Sequence, residues 1–117
     1  MKKYIYVIIM LMSNYLSPQT VVNLDALTHN TTQTGCSFWF YDDGGASGNY
    51  SNNQDRWITF TSSNPTNTHI RVEFASFDVA DDDTLYIYDG PNTSSPLIGW
   101  YNNSNPLTIP NNIVQAS

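Results

Sequence analysis

The stretch "HIRVEFASF", residues 69–77, sets Ile70, Val72 and Phe74 against Arg71 and Glu73 in strict alternation. A period of two places one face of an extended chain on a core and the other in water, whereas a helix repeats its apolar residues every three and four positions. The same habit runs through the rest of the chain. "CSFWFY", "RWITFT", "TLYIYDG", "PLIGWY" and "LTIPNNIV" read as short strands, and in "TLYIYDG" Leu85 and Ile87 take one face and Tyr86 and Tyr88 the other. Between them lie loops dense in Asn, Ser, Thr, Gly and Pro. In "DDGGASGN" the glycines permit a sharp reversal, and Asp89-Gly90 is a turn pair. No amphipathic helix is visible. The fold class expected is all-β, a single antiparallel β-sandwich or barrel.

The N-terminal stretch stands outside that pattern. Lys2 and Lys3 precede an unbroken apolar run from Tyr4 to Met12, and polar residues with a proline follow. This order reads as a secretory signal peptide over residues 1–20, cut between Ser17 and Val21. The apolar run is far shorter than the roughly 20 residues a spanning helix needs, so no membrane insertion is expected. Residues 21–35 read as a short strand, "VVNL", with a polar leader, "THNTTQTG", and residues 36–117 as the domain. The expected location is secreted or at the cell surface.

Without the leader, Arg56 and Arg71 face all ten acidic residues, a net charge of −8. Such a surface repels nucleic acid and anionic lipid and sets both aside as partners. Cys36 is the single cysteine. An exported domain often carries an even set of half-cystines, so Cys36 is a buried thiol, pairs with another chain, or has its partner outside this sequence.

"EFASFD", "DDDTLYIYDG" and "SSPLIGWY", in that order, resemble the CUB domain family, where Phe-x-x-Phe-Asp leads to an aspartate, then Leu-x-Val-Tyr-Asp-Gly, then Ser-Pro-Leu-Leu-Gly-x-Tyr. "GNYSNNQDRWITF" is similar to that family's upstream Asn-Tyr and Trp-x-Ile stretch, and the glycine-rich loop is closer to the CUB-like modules of secreted bacterial proteins. The resemblance covers Cys36 to Ser117 and implies a jelly-roll-like sandwich whose last strands lie past Ser117. It departs from the family at the cysteines: three of the usual half-cystine positions fall near Arg56, Asp81 and Asn102, and none is Cys. Cys36 would then pair with a cysteine beyond Ser117.

Three adjacent carboxylates, Asp81, Asp82 and Asp83, repel one another, and either water on an exposed loop or a bound cation offsets that repulsion. Calcium takes about 6–8 oxygen ligands and favours such clusters. In the calcium-binding branch of the family, Asp83 matches a ligand, Asp81 falls near a second, and a third belongs to the segment past Ser117. An EF-hand is excluded, since a loop starting at Asp78 lacks the glycine and glutamate it requires.

Enzymatic chemistry is not expected. His29 and His69 are the only histidines, and no spacing brings either to Cys36 or a serine as a nucleophile–base pair. Zinc would want more His or Cys. Of the many aromatics, one face of each strand is core, and the other can stack on sugars or sit in an interface. The function the resemblance implies is non-catalytic recognition of an extracellular protein or glycan, calcium-supported in the intact module, within a larger multidomain chain. Two alternatives stand beside it: a fragment with no function of its own, and a carbohydrate-binding sandwich independent of calcium.

Overall fold

The computed structural model describes residues 19–64, 66, 69–106 and 113–117. The expected leader, apart from its last two residues, and the first part of "LTIPNNIV" lie outside them. Among the described residues there are eight short strands and no helix. They are β1 (Thr20–Asn23), β2 (Thr32–Gly35), β3 (Phe38–Tyr41), β4 (Thr59–Ser62), β5 (Arg71–Glu73), β6 (Leu85–Tyr88), β7 (Leu97–Tyr101) and β8 (Ile113–Gln115). The all-β class is therefore present, as four two-stranded sheets, β1–β3, β2–β4, β5–β8 and β6–β7.

Two points differ from the sequence-based expectation. The polar leader holds a strand, β2, although "TQTG" has no apolar residue to signal one. And only β5–β8 and β6–β7 are antiparallel; β1–β3 and β2–β4 are parallel. Parallel neighbours need a long crossover. Here each crossover contains a strand of the other ladder: β2 lies between β1 and β3, and β3 between β2 and β4. Aromatic rings join the two ladders. Phe60 of β4 meets Phe38 at 5.3 Å and Phe40 at 5.4 Å between centroids, the second edge-on, a preferred arrangement for aromatic pairs.

In the second half the alternation read from sequence decides what is buried. Val72 and Phe74 turn inward, while Arg71 and Glu73 are exposed and pair at 3.2 Å. Tyr101 and Val114 form the centre of this core, with Phe74, Phe77 and Ile87 packed on it. Phe74 and Phe77 meet edge to face at 5.9 Å. Gly99 lies beneath Tyr101: a Cβ there would come within 2.7 Å of Tyr101 Cζ, so the core ring occupies space that any side chain would need. Among the described residues, Val22 of β1 is the other buried apolar residue.

Hairpin β6–β7 closes through the loop "DGPNTSSP". The Asp89 N–H donates to Pro96 O at 2.8 Å, and Gly90 takes φ 149°, which favours glycine. Asp89 is thus a turn residue, as its sequence context implied. Its carboxylate also accepts from the Ser117 N–H at 3.1 Å and from the Ser117 hydroxyl.

Candidate functional site

Two features of the β6–β7 hairpin stand out: a pinned acidic loop at its open end and a strip of outward rings on its solvent face. The loop runs over residues 78–83, directly before β6. The register Leu85↔Tyr101 puts the residue after β7, Asn102, beside the residues that lead into β6. Asn102 is only 7% exposed. Its Nδ2 donates to Asp81 O at 3.2 Å and to Asp83 O at 3.3 Å, and its Oδ1 accepts from the Asn105 N–H at 2.8 Å. Asn103 adds a second tie. Its N–H donates to Val79 O at 2.8 Å, its Oδ1 accepts from the Val79 N–H at 3.1 Å, and its Nδ2 donates to Asp78 Oδ1 at 2.8 Å.

The third tie comes from far upstream. The Tyr50 hydroxyl donates to Asp83 Oδ2 at 2.8 Å and accepts from the Ala80 N–H at 3.0 Å. That Ala80 bond lowers the Tyr50 pKa, but the Asp83 hydrogen bond, burial and the charges of Asp83 and Asp82 outweigh it, and the net shift is upward. The phenol therefore remains a donor to Asp83 throughout the neutral range.

The structure thus gathers Asp83 with Tyr50 and Asn102, while Asp81 joins through its carbonyl rather than its carboxylate. Sequence reasoning missed Tyr50, Asn102 and Asn103 as parts of this site. The signal for Asn102 was the hairpin register, which places the first residue past β7 opposite the acidic run. The donors around a cation here would be all oxygen, which suits calcium. Two of the loop carbonyls, Asp81 O and Asp83 O, already take the Asn102 amide; among the described residues Asp83 Oδ1 takes no hydrogen bond, while Asp83 Oδ2 takes the Tyr50 hydroxyl. Among the described residues no three His, Cys, Asp or Glu side chains converge as a metal-holding group.

The solvent face of the hairpin carries Tyr86, 54% exposed, directly opposite Trp100, 47% exposed. Tyr88 continues the strip, its ring 6.4 Å from that of Tyr86 and 26° off parallel. Leu97 and Ile98 are exposed beside them. On the other face Ile87 packs on the core, so the hairpin separates an apolar inside from an aromatic outside.

His29, Asp42 and Cys36 lie outside the hairpin. His29 Nδ1 accepts from the Trp57 N–H at 3.3 Å, and its ring meets Trp57 edge-on at 4.3 Å. Asp42 Oδ1 accepts from the Gly44 N–H at 2.8 Å, so "DDGG" forms a reversal. Cys36 is exposed and free, which removes the buried-thiol reading. It borders an open pocket of about 360 Å³ shared with Thr34, Ser37 and Ser63.

The carboxylates of Asp25, Asp43 and Asp89 lie below the ordinary value of 3.8. Asp25 is held down by the N–H groups of Leu27 and Thr28, Asp43 by the N–H and hydroxyl of Ser51 with Arg56 at 3.5 Å, and Asp89 by Ser117. A depressed carboxylate pKa means that the unfolded chain binds more protons, so stability rises with pH in that window. The contribution is complete above about pH 5 and drains away as pH falls through 3.8 and the lower folded values. Melting temperature measured from pH 6 to pH 2 is expected to fall across that window, with a shallower fall in Asp43→Asn. A melting temperature that climbs on acidification would contradict this reading.

Among the described residues no helix is long and apolar enough to cross a membrane. No protein-family model, curated protein or solved structure matches this chain.

Proposed function

We propose that this chain is a non-catalytic recognition module of a secreted or surface protein, CUB-like in architecture, that binds an extracellular protein or glycan through the outer face of hairpin β6–β7. The observation that carries the proposal is the Tyr86–Trp100 pair. A soluble strand pair normally turns polar residues outward, and single exposed apolar residues need no explanation. Opposed, half-exposed rings continued by Tyr88 and flanked by Leu97 and Ile98 form instead a contiguous apolar patch, the usual mark of an interaction surface. Two positions where the CUB resemblance puts half-cystines, near Asp81 and Asn102, are neighbours joined by a hydrogen bond, which supports the architectural part of the reading. Retention of the full-length protein on immobilised extracellular proteins and glycans tests it. Retention that is unchanged in a Tyr86→Ala/Trp100→Ala double variant would remove the hairpin face from the proposal.

Calcium belongs to the same proposal as a support for the Asp81–Asp83 loop. Asp83 Oδ1 and the carboxylate of Asp81 are its side-chain ligands, and other oxygens complete the shell. An ion bound only by the folded state stabilises it by about 2.7 kcal/mol at a hundredfold excess over Kd. The expected result on the full-length protein is a melting temperature that rises with calcium. The rise is lost in Asp83→Ala, reduced in Asp81→Ala and little changed in Asp82→Ala. Coincident melting curves with calcium and with chelator would return the loop to a water-exposed acidic run. Glycan retention that survives chelator would favour the calcium-independent carbohydrate reading, for which the exposed rings are the supporting observation.

A further inference from the structure

We propose that Asn92, in the loop that closes hairpin β6–β7, is the acceptor for an N-linked glycan; this rests on the reading of the chain as an exported one. The modification needs Asn-x-Ser/Thr, with x not proline, on a surface that an enzyme can reach in a secreted protein. Four such triplets occur, at Asn30, Asn49, Asn92 and Asn102. In so asparagine-rich a chain the triplet alone says little, and it is the fold that separates them.

Two groups must be free: the amide nitrogen, which takes the sugar, and the hydroxyl two residues on, which the transferase reads. Asn102 lacks the first. It is 7% exposed, and its Nδ2 is spent on Asp81 O and Asp83 O. At Asn49 the hydroxyl is spent. Ser51 gives Asp43 both its hydroxyl and, at 3.0 Å, its N–H, and Tyr50 between them is tied to Asp83. Asn30 is locked to Trp57: its Oδ1 accepts from Trp57 Nε1 at 3.1 Å, and its N–H donates to Trp57 O at 2.8 Å. Thr32, which would supply its hydroxyl, already stands in β2 opposite Thr59.

Asn92 differs on both counts. Asn92, Thr93 and Ser94 are all exposed. Asn92 Oδ1 accepts from the Ser94 N–H at 2.9 Å, an Asx turn that folds the triplet onto itself. The turn uses the oxygen of the amide, and among the described residues neither Asn92 Nδ2 nor the Ser94 hydroxyl makes a hydrogen bond. The loop is held from behind, where the Thr59 hydroxyl donates to Pro91 O at 2.9 Å and the Ser95 N–H to Asn92 O at 3.1 Å. The co-reactant is a lipid-pyrophosphate-linked oligosaccharide. Its anomeric C–O bond breaks, the electron pair leaving with the pyrophosphate, and a C–N bond forms to Asn92 Nδ2, which gives up one proton to a base. The glycan stands at the closed end of the hairpin, the acidic loop lying at the open end.

A purified single-subunit oligosaccharyltransferase with its lipid-linked donor, applied to the folded full-length protein and to four short peptides carrying the triplets, tests the proposal. All four peptides are expected to accept sugar, and the folded protein to gain a single glycan, located at Asn92 by peptide mass spectrometry. Asn92→Gln and Ser94→Ala should abolish that gain and Ser94→Thr keep it, with circular dichroism confirming that each variant is folded. A folded protein left bare at Asn92 overturns the proposal. Equal occupancy of Asn102, Asn49 or Asn30 in the folded protein overturns it too, because the fold would then not select. Export is read separately, as release from secretory cells of the chain carrying its own leader. A released chain bare at Asn92 overturns the proposal and spares the secreted reading, whereas a retained chain overturns the secreted reading and with it this modification in the cell.

Discussion

Asn102→Asp is expected to destabilise the protein by about 2–4 kcal/mol, although it changes a single group and keeps the shape of the side chain. The amide it replaces sends Nδ2 to two carbonyls, Asp81 O and Asp83 O. A carboxylate has no proton to send. Both carbonyls would lose their donor and meet an anion, within a side chain that is 7% exposed and next to three aspartates. The Oδ1 bond from Asn105 survives the change, so the loss combines the two donor contacts with the added charge. Asn102→Ala removes the same donors without adding charge and should be less damaging. Urea unfolding with an unchanged m-value and a lower midpoint would register the difference. An aspartate variant as stable as wild type would show that the amide does not hold the loop.

Tyr101→Ala is expected to have the largest effect on the fold, about 3–5 kcal/mol, in line with deletion of other buried aromatic side chains. The core around it is small: Val114, with Phe74, Phe77 and Ile87 partly covered against it. A domain of this size has about 5–15 kcal/mol in all, so the variant would stand near its unfolding threshold at ordinary temperature. Gly99→Ala attacks the same contact from below. Its new methyl would need the space of the Tyr101 ring, 2.7 Å away at Cζ, a misfit that costs about 1–3 kcal/mol in a packed core. The two changes should not add. With the ring gone the methyl fits, and Gly99→Ala in the Tyr101→Ala background should cost little. Full additivity in thermal melts would mean that the glycine is required for some other reason.

What could be read from sequence follows from range. In "HIRVEFASF" and "TLYIYDG" the side of the sheet each residue takes is written in its neighbours, and Val72, Phe74, Leu85 and Ile87 turn inward as their spacing implies. Which strands pair is decided at a distance, and the parallel partners β1–β3 and β2–β4 left no local mark. Strand β2 was hidden for a related reason. "TQTG" has no apolar face to advertise, and its place is fixed by backbone pairing with β4. The aspartate run was legible as a liability whose offset was unknown. Part of that offset is an amide and a phenol, Asn102 and Tyr50, brought in from 19 and 33 residues away from Asp83. The ring strip lay between these cases: alternation showed that Tyr86 and Tyr88 share a face, and only the register added Trp100.

The ties that hold the acidic loop, from Tyr50, Asn102 and Asn103, are all hydrogen bonds. Where small exported domains commonly use disulfides, which form and reshuffle over seconds to hours and depend on an oxidant, this junction has no covalent memory. Its strength is indifferent to glutathione or oxygen, and the ties can be remade after heating by the chain alone. Reductant added before a cycle of unfolding and cooling should leave the recovered loop contacts unchanged.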